Sequence, residues 1–535
     1  MRQPRTCVMS GMIACLLAVS VACAGEIPSV TVGAAAQTIE VPRWQPCDFA
    51  FSSAAKPENP FKLSFSATVK GPGGAAFKTA GFYDGDGTWK VRISPTAEGA
   101  WSLVTQSEAP DLNGKTVAFT CTPNKNPRVH GGLRVDAQHP RHFVFEDGTR
   151  CFLMGYECDW LWALDLGRPT LDTLNPFLDK IAGAGFNYVL INAYAHDTGW
   201  RKGTTGPDDF GPPPMYAWEG DNAQPDHSRF NLAYWKHYDR VIAQMNERGL
   251  IAHIMIKVYN KMVKWPAPGS PEDDLYFGWL VARYAAFPNV HWDFSKEANN
   301  EKSLDYKVGR LKFLREHDPY RRPITVHDDH KTYDGGAYND LLDYRSDQQH
   351  SKWHATLLDH RQQHAWPVVN VEFGYEHGPG GLKDKTYSRV QAPEEVCRLA
   401  WEVCMAGGYG AYYYTYTAWD VIRPQDTPPG YAYFKNLRAF FDETGYWLME
   451  PADGLVSEGY CLANPGREYI VFLNSAQPFT LDLRRVLAAP LKAEWFQPLT
   501  GKRKEAQVMG SGTAELKPPE EWAGGPVVLH VGSRP

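Results

Sequence analysis

The sequence predicts a multidomain protein: a central (β/α)8 TIM barrel flanked by two β-sandwich domains. Three observations carry this. Eight strand-like runs alternate with helical stretches between residues 134 and 447. Residues 26–130 read as short strands with period-2 alternation, separated by turn residues. The last stretch, 448–535, returns to short strands punctuated by Pro and Gly. A chain of 535 residues is too long for one ordinary core, which agrees with three domains.

The chain opens on a targeting segment. Arg2 and Arg5 precede an apolar run, Gly11–Ala22, and Ala22-Cys23-Ala24 offers a small-residue cleavage site. This predicts a signal peptide over 1–24 and an exported protein, periplasmic or extracellular. Lipid anchoring through Cys23 ranks second, because Ser20 stands where such signals usually carry Leu. No other apolar run is long enough to span a bilayer.

In the first sandwich, "FKLSFSATVKG" (61–71) alternates apolar and polar residues, and "GFYDGDGTWKVRISP" (81–95) is a strand, a turn and a strand. "DGDG" (84–87) reads as that turn rather than a calcium loop, since the later carboxylate ligands are missing. "GAWSLVTQS" and "KTVAFTCTP" complete the set, and "PNKNPRVHGG" (123–132) reads as a linker.

The barrel strands are "CFLMGYECD" (151–159), "FNYVLINAYA" (186–195), "LIAHIMIKVY" (250–259), "NVHWDFSKEAN" (289–299), "PITVHDD" (323–329), "YRSDQQHSK" (344–352), "PVVNVEFGYE" (367–376) and "GAYYYTYTAWD" (410–420). Between them lie amphipathic stretches such as 171–185 and 232–249. A doubly wound sheet is the alternative; the count of eight, and the polar residues at so many strand C-termini, favour the barrel.

Net charge is −6, with no basic stripe, which argues against nucleic acid as a partner. The 18 Trp and 27 Tyr fit a carbohydrate substrate, whose C–H faces pack on flat rings; for any single aromatic, core packing is the commoner role. Seven cysteines follow the cleavage site, an odd number, at spacings that match no zinc pattern. Core packing accounts for most of them.

Catalytic groups of a barrel sit at strand C-termini and the loops that follow. On strand 4, Val290, Trp292 and Phe294 share one face and Glu297 the other; on strand 7, Glu372 follows Asn370 while Val369, Val371 and Phe373 are apolar together. Two glutamates therefore face each other across the mouth. For a lone strand-end glutamate a loop cap or an arginine partner is the ordinary role, but the matched pair suits glycoside hydrolysis. One carboxyl protonates the leaving oxygen; the other attacks the anomeric carbon when the two lie ~5–5.5 Å apart.

The pair resembles that of the retaining (β/α)8 glycosidases. "FLMGYECDWLWALD", "WDFSKEANN" and "NVEFGYE" are similar to the apiosidase-like branch. "GFYDGDGTWKVRISPTAEGAW" resembles the β-sandwich that often precedes such barrels, and "YCLANPGREYIVFLN…WFQPLTGK" the collagen-binding-type β-domain that often follows. The resemblance implies Glu297 as general acid/base and Glu372 as nucleophile, without a cofactor or a metal. Many members of the superfamily carry Asn before the acid/base; here that position is Lys296, and alternation predicts that it points away from the mouth. Asn299 is then the candidate amide for the sugar.

Other substrate contacts are expected from Glu157 and Asp159 (or these pair with Lys257), and from Asn192, Tyr194, His350, Tyr375 and Trp419. His327-Asp328-Asp329-His330 reads as loop polarity rather than a metal site, and the i, i+4 pairs His350/His354 and His360/His364 as a solvated helix face. The Gly/Pro-rich insertion 196–221 is long enough to wall one side of the site, which suggests a pocket and exo action. The expectation is an exported retaining glycoside hydrolase acting on a plant or algal polysaccharide or oligosaccharide. Its alternatives are an inverting hydrolase, a lyase, or a non-catalytic carbohydrate- or matrix-binding protein on a barrel scaffold.

Overall fold

The computed structural model describes residues 26–33, 38–200, 206–329, 337–383, 389–484, 492–507 and 512–532. The signal-peptide and Cys23 readings lie outside the described residues, as do His330 and residues 201–205 of the insertion. Eight parallel strand positions form the barrel: β1 (Met154–Glu157), β2 (Tyr188–Asn192), β3 (Ile251–Val258), β4 (Val290–Lys296), β5 (Ile324–Thr325, resuming as His327–Asp329), β6 (Arg345–Gln348), β7 (Val368–Asn370) and β8 (Tyr409–Tyr412). The order β5–β4–β3–β2–β1–β8–β7–β6–β5 runs around the barrel. The ends of the sheet are the two halves of β5. Asp293 Oδ1 accepts the His327 amide at 3.0 Å just where β5 is interrupted.

Helices follow the strands: α1 (Leu174–Gly183), α2 (Leu232–Glu247), α3 (Pro271–Tyr284), α4 (Leu304–His317), α5 (Trp353–Gln363), α6 (Pro393–Met405) and α7 (Gly430–Asp442). Between β5 and β6 only a short turn, Asn339–Leu341, is seen among the described residues. Local sequence sets the helix starts. Asn231 caps α2 through the Ala233 amide. Ser270 caps α3, with Pro271 in the first turn and Glu272, Asp273 and Asp274 complementing the helix dipole.

The barrel interior is layered. Phe143, from the hairpin Leu133–Val135/Phe143–Phe145, closes the bottom against Tyr344 and Tyr409. Above it lies a polar layer in which the Tyr188 hydroxyl pairs with His253 and with Tyr344 (2.7 Å), and His253 Nε2 meets Asp293 at 2.7 Å. This layer fixes His253 and Asp293, hence β3 against β4, below the mouth.

The N-terminal domain packs a four-stranded sheet on a five-stranded one around Phe49, Trp89, Trp101 and Phe119. The "DGDG" stretch is the turn between Phe82–Gly85 and Thr88–Ile93. This domain is tied to the barrel by an ionic lattice built on two fully buried arginines. Arg92 donates to Asp48 (2.6 Å), Asp239 (2.9 Å) and the Arg283 carbonyl (2.7 Å). Arg283 donates to Asp239 (2.6 Å) and Asp84 (3.3 Å), and Lys90 meets Asp84 at 2.7 Å. The two guanidiniums hold the Asp239 carboxyl well below the usual range despite its burial.

The C-terminal domain is a six-stranded antiparallel sheet with a two-stranded flap. It docks on α5 and α6. Trp401 stacks on Phe472, Arg361 meets Glu450 at 2.6 Å, and His354 meets Asp453 at 2.8 Å. The helix histidines are therefore not a solvated face. His354 and His360 are buried, and His360 binds Asp347 of β6 at 2.5 Å. The α5 face lies under a domain and against the sheet, which the local sequence does not record. All seven described cysteines are buried thiols. No described helix is long and apolar enough to cross a membrane.

Removing one partner from a buried ion cluster leaves its counter-ions unpaired, which costs roughly 3–5 kcal/mol. Arg283→Met should lower unfolding stability by about that amount in denaturant titration. Arg484→Met, whose side chain is 76% exposed, should leave it unchanged within the error of the titration.

Candidate active site

The mouth is built where β4 changes face. Trp292 and Phe294 pack outward, on Asp318 and on Tyr306 of α4. The β3–β4 ladder runs from Ala252↔Val290 to Met255↔Asp293, then resumes at Lys257↔Ser295. At the interruption the Ser295 amide donates to Asp293 Oδ1 (3.0 Å). Beyond it, side-chain parity is reversed on both strands. Lys257 turns outward to Asp273 (2.7 Å) and Tyr306 (2.5 Å). Lys296 turns inward.

This corrects the alternation-based expectation for Lys296. Its ammonium crosses the barrel to β1 and its following loop, donating to Glu157 Oε1 and to Asp159 Oδ1 (3.2 Å), with the Tyr413 hydroxyl at 3.5 Å. All three side chains are fully buried. Glu157 and Asp159 thus pair with Lys296, not with Lys257. Burial and the charge of Asp159 push the Glu157 carboxyl far up, so it is the one that holds a proton. Burial opposes ionisation of Asp159 too, but Lys296 and Lys261 hold it below the usual range.

Glu372 lies just past β7. Tyr375 donates to its Oε1, Tyr413 donates to Oε2 at 3.3 Å, and His327 Nε2 stands 3.5 Å from Oε2. Burial opposes ionisation, yet Lys296 foremost, with His327 and His350, holds the carboxyl well below the usual range. Glu372 is a buried carboxylate kept charged chiefly by the Lys296 ammonium, with both oxygens hydrogen-bonded by tyrosines.

Glu297 ends β4 in the left-handed region (φ 52°), a strained conformation for a residue with a side chain. It is half-buried. Asn260 donates to its Oε1 (2.6 Å) and Asn300 to its Oε2 (3.0 Å). The charges of both Glu297 and Glu372 act on the buried Lys261 ammonium, after those of Asp159 and Lys296.

The remaining candidates separate. Around Glu372, His350 stacks on Tyr375 (5.5 Å) and Trp419 packs against Tyr375 (5.6 Å) and Tyr413 (6.2 Å). Tyr194 is fully buried, stacked on Trp162, its hydroxyl 3.2 Å from His196 Nδ1. Its surroundings are those of a core residue. Asn192 is buried at the end of β2, and neither of its amide atoms has a hydrogen-bond partner among the described residues. Asn299 Oδ1 is buried without a hydrogen-bond partner among the described residues, while Asn300 and Asn260 bond Glu297. The backbone turn at Glu297 rotates the next residues by a step that sequence alternation does not carry. Of the His327–His330 run, His327 faces Glu372, and Asp328 accepts from Tyr338 (3.0 Å).

Sequence reading missed Asn260, Lys261, Asn300 and Tyr413. The first two follow Tyr259 at the end of β3. Tyr413 stands in "YYYTY", where a run of identical residues conceals which ring faces inward.

One buried carboxyl lies outside this group. Glu376 accepts from Tyr412 (2.7 Å) and from the Gly430 amide opening α7 (3.1 Å), and burial pushes it up to about 8. Its folded value exceeds the ordinary ~4.3, so the stability it contributes is full below that and lost as pH rises through about 8. Glu376→Gln should therefore gain stability relative to the parent between pH 6 and pH 9, measured by melting. Lys296→Met should cost roughly 3–5 kcal/mol at pH 7. That loss should shrink towards pH 5, as protonation removes the stranded charge of Asp159.

Comparison with known proteins agrees with this architecture. Residues 137–460 match the family profile "Apiosidase-like, catalytic domain", residues 40–108 a domain of unknown function (DUF5060), and residues 453–529 the "Putative collagen-binding domain of a collagenase". Among solved structures, the chain is similar to a "putative glycoside hydrolase" from Bacteroides vulgatus at 21% identity, covering 92% of this chain and 100% of that one, with a TM-score of 0.78. A family 5 glycoside hydrolase from the same organism aligns at 19% identity over 76% of this chain and 93% of its own, with a TM-score of 0.56. No curated protein matches. Under 25% identity these likenesses speak for the fold, which is that of glycoside hydrolases with β-rich domains on both sides of the barrel. The chain belongs to the apiosidase-like family.

Proposed function

We propose that this protein is an exported retaining glycoside hydrolase acting on a plant or algal polysaccharide or oligosaccharide. Glu372 is the nucleophile and Glu297 the general acid/base. The observation that carries the reading is the contrast between the two carboxyls that follow β4 and β7. Glu372 is buried, charged and fixed by Tyr375 and Tyr413. Glu297 is half-buried at a loop, steadied by two neutral amides.

The steps follow from that contrast. A Glu372 oxygen bonds to the anomeric carbon as the bond to the leaving oxygen breaks, and Glu297 gives its proton to that oxygen. Water then attacks the same carbon. Glu297 takes the water's proton, and the ester bond to Glu372 breaks, returning both carboxyls to their starting states. A nucleophile must stay ionised while its partner cycles a proton. Lys296, His327 and His350 supply that bias at Glu372. Trp200, 42% exposed, meets the edge of Trp419 at 6.4 Å, so the insertion after β2 contributes a wall beside the nucleophile. This supports a pocket and exo action.

The test is a panel of plant and algal glycosides. Glu372→Ala should lower kcat at least ~10³-fold, with azide giving an azido-sugar product in Glu297→Ala but not in the parent. Proton NMR of the first product should show the anomer of the substrate. If both variants cleave like the parent, the assignment fails. Inverted product would leave a hydrolase of the other stereochemistry, and binding without turnover by the parent would favour a carbohydrate-binding protein.

A further inference from the structure

Two pairs of side chains alternate about the ends of β7 and β8. Tyr375 and Tyr413 point into the mouth, where they donate to the two oxygens of Glu372. Their chain neighbours Glu376 and Tyr412 point the other way. Tyr412 packs on Phe434 of α7 (4.7 Å) and donates to Glu376 Oε2 at 2.7 Å. The Glu376 amide donates to the Tyr413 carbonyl (2.9 Å) and the Thr415 amide to the Glu376 carbonyl (3.2 Å), so the inward and outward pairs share one strand pairing. The two-glutamate chemistry uses only the inward pair.

The outward pair closes on the first turn of α7. The Gly430 amide donates to Glu376 Oε2 at 3.1 Å and lies 3.5 Å from Oε1. A Cβ on residue 430 would stand 2.1 Å from Oε2 and 2.6 Å from the Tyr412 ring, so the close approach requires glycine. Oε2 takes both firm donors, which leaves Oε1 to carry a proton. Glu376 is fully buried. The titratable groups around it are Tyr412 of β8, Tyr414 just beyond it, Glu394 and Cys397 of α6, and Tyr431 and Tyr433 of α7. None of these is a cation, and Glu394 brings a like charge. Burial outweighs the Tyr412 and Gly430 hydrogen bonds and pushes the carboxyl up to about 8, so it is neutral at neutral pH. Once ionised, it would have about four acceptor sites for two firm donors. Such a group gains by reaching water, and to do so it must draw the two-residue strand Tyr375–Glu376 away from β8.

We propose that Glu376 is a positioning residue: its neutral carboxyl fastens α7 behind β7 and β8 and so keeps Tyr375 and Tyr413 on the nucleophile, and its ionisation loosens both. The effect on turnover rests on the glycoside hydrolase reading; the effect on the strand pairing does not.

Hydrogen exchange of the full chain without ligand, read by mass spectrometry, tests the pairing. Peptides spanning 373–377 and 412–416 should exchange at least ~10-fold faster in the parent than in Glu376→Gln at pH 9, and alike at pH 7, because the amide cannot ionise. In the parent itself, protection of these peptides should fall between pH 7 and pH 9 while that of the C-terminal sheet holds, a comparison that needs no variant. Melting at pH 9 confirms that both proteins remain folded. With a glycoside from the panel that is cleaved, kcat should fall about 10-fold more from pH 7 to pH 9 in the parent than in Glu376→Gln, the ratio for a midpoint near 8, with KM little changed. Equal exchange in the two proteins at pH 9, or an alkaline fall of kcat that Glu376→Gln keeps in full, would overturn the proposal. A panel with no cleaved member would remove the hydrolase reading, and exchange would then decide the pairing by itself.

Discussion

The mouth of this barrel depends on one buried ammonium. Lys296 reaches from the end of β4 across to Glu157 and Asp159, and its charge is the chief influence that keeps Glu372 ionised against burial. Three elements meet on it: β1 through the two carboxyls, β8 through Tyr413, and β7 through Glu372. Such a cluster is costly to assemble, because every charge in it leaves water. It holds together because each carboxyl finds a cation or keeps a proton. The face change at Asp293 makes the geometry available. Asp293 captures the Ser295 and His327 amides where the β3–β4 ladder skips one pair and β5 is broken. Past that point the chain delivers Lys296 inward and then turns sharply to present Glu297.

The flanking domains grip the barrel away from the mouth. Arg92 and Arg283 bind the first sandwich to α2 and α3, and Arg361, His354 and Trp401 bind the last domain to α5 and α6. Both contacts bury charge as well as apolar rings, so each fixes one relative placement. The result is a scaffold whose strand ends are held from outside while the mouth carries the strained and unsatisfied groups. Glu297 at positive φ and Asn192, whose amide atoms lack hydrogen-bond partners among the described residues, both lie there. Groups left strained or unpaired where the scaffold is firm are the usual signature of a site prepared for a ligand.

Much of this was legible in the sequence because its signals are periodic. Eight alternating runs gave the barrel, and turn residues such as "DGDG" gave the hairpins. Strand ends led to Glu297, Glu372 and their neighbours His350, Tyr375 and Trp419. What failed were inferences that extend a period past an irregularity. Lys296 was assigned outward because alternation was carried through Asp293, whose side chain replaces a ladder hydrogen bond. Asn300, which bonds Glu297, is not marked by any sequence pattern, because a left-handed residue at Glu297 turns the chain between them. The α5 histidines looked solvated because domain docking leaves no periodic trace. Lys261 was invisible for another reason: its ion pair with Asp159, 102 positions away in sequence, exists only in the folded chain.

The central claim is that Glu372 becomes covalently bonded to the sugar. A 2-deoxy-2-fluoro glycoside with a good leaving group, matched to the glycoside the protein cleaves, slows release of that intermediate. Incubation, proteolysis and mass spectrometry then locate the label. The account predicts one fluoroglycosyl group per chain, esterified to Glu372, and none on Glu297. A label on any other residue, or rapid turnover with inverted product and no label, would contradict it.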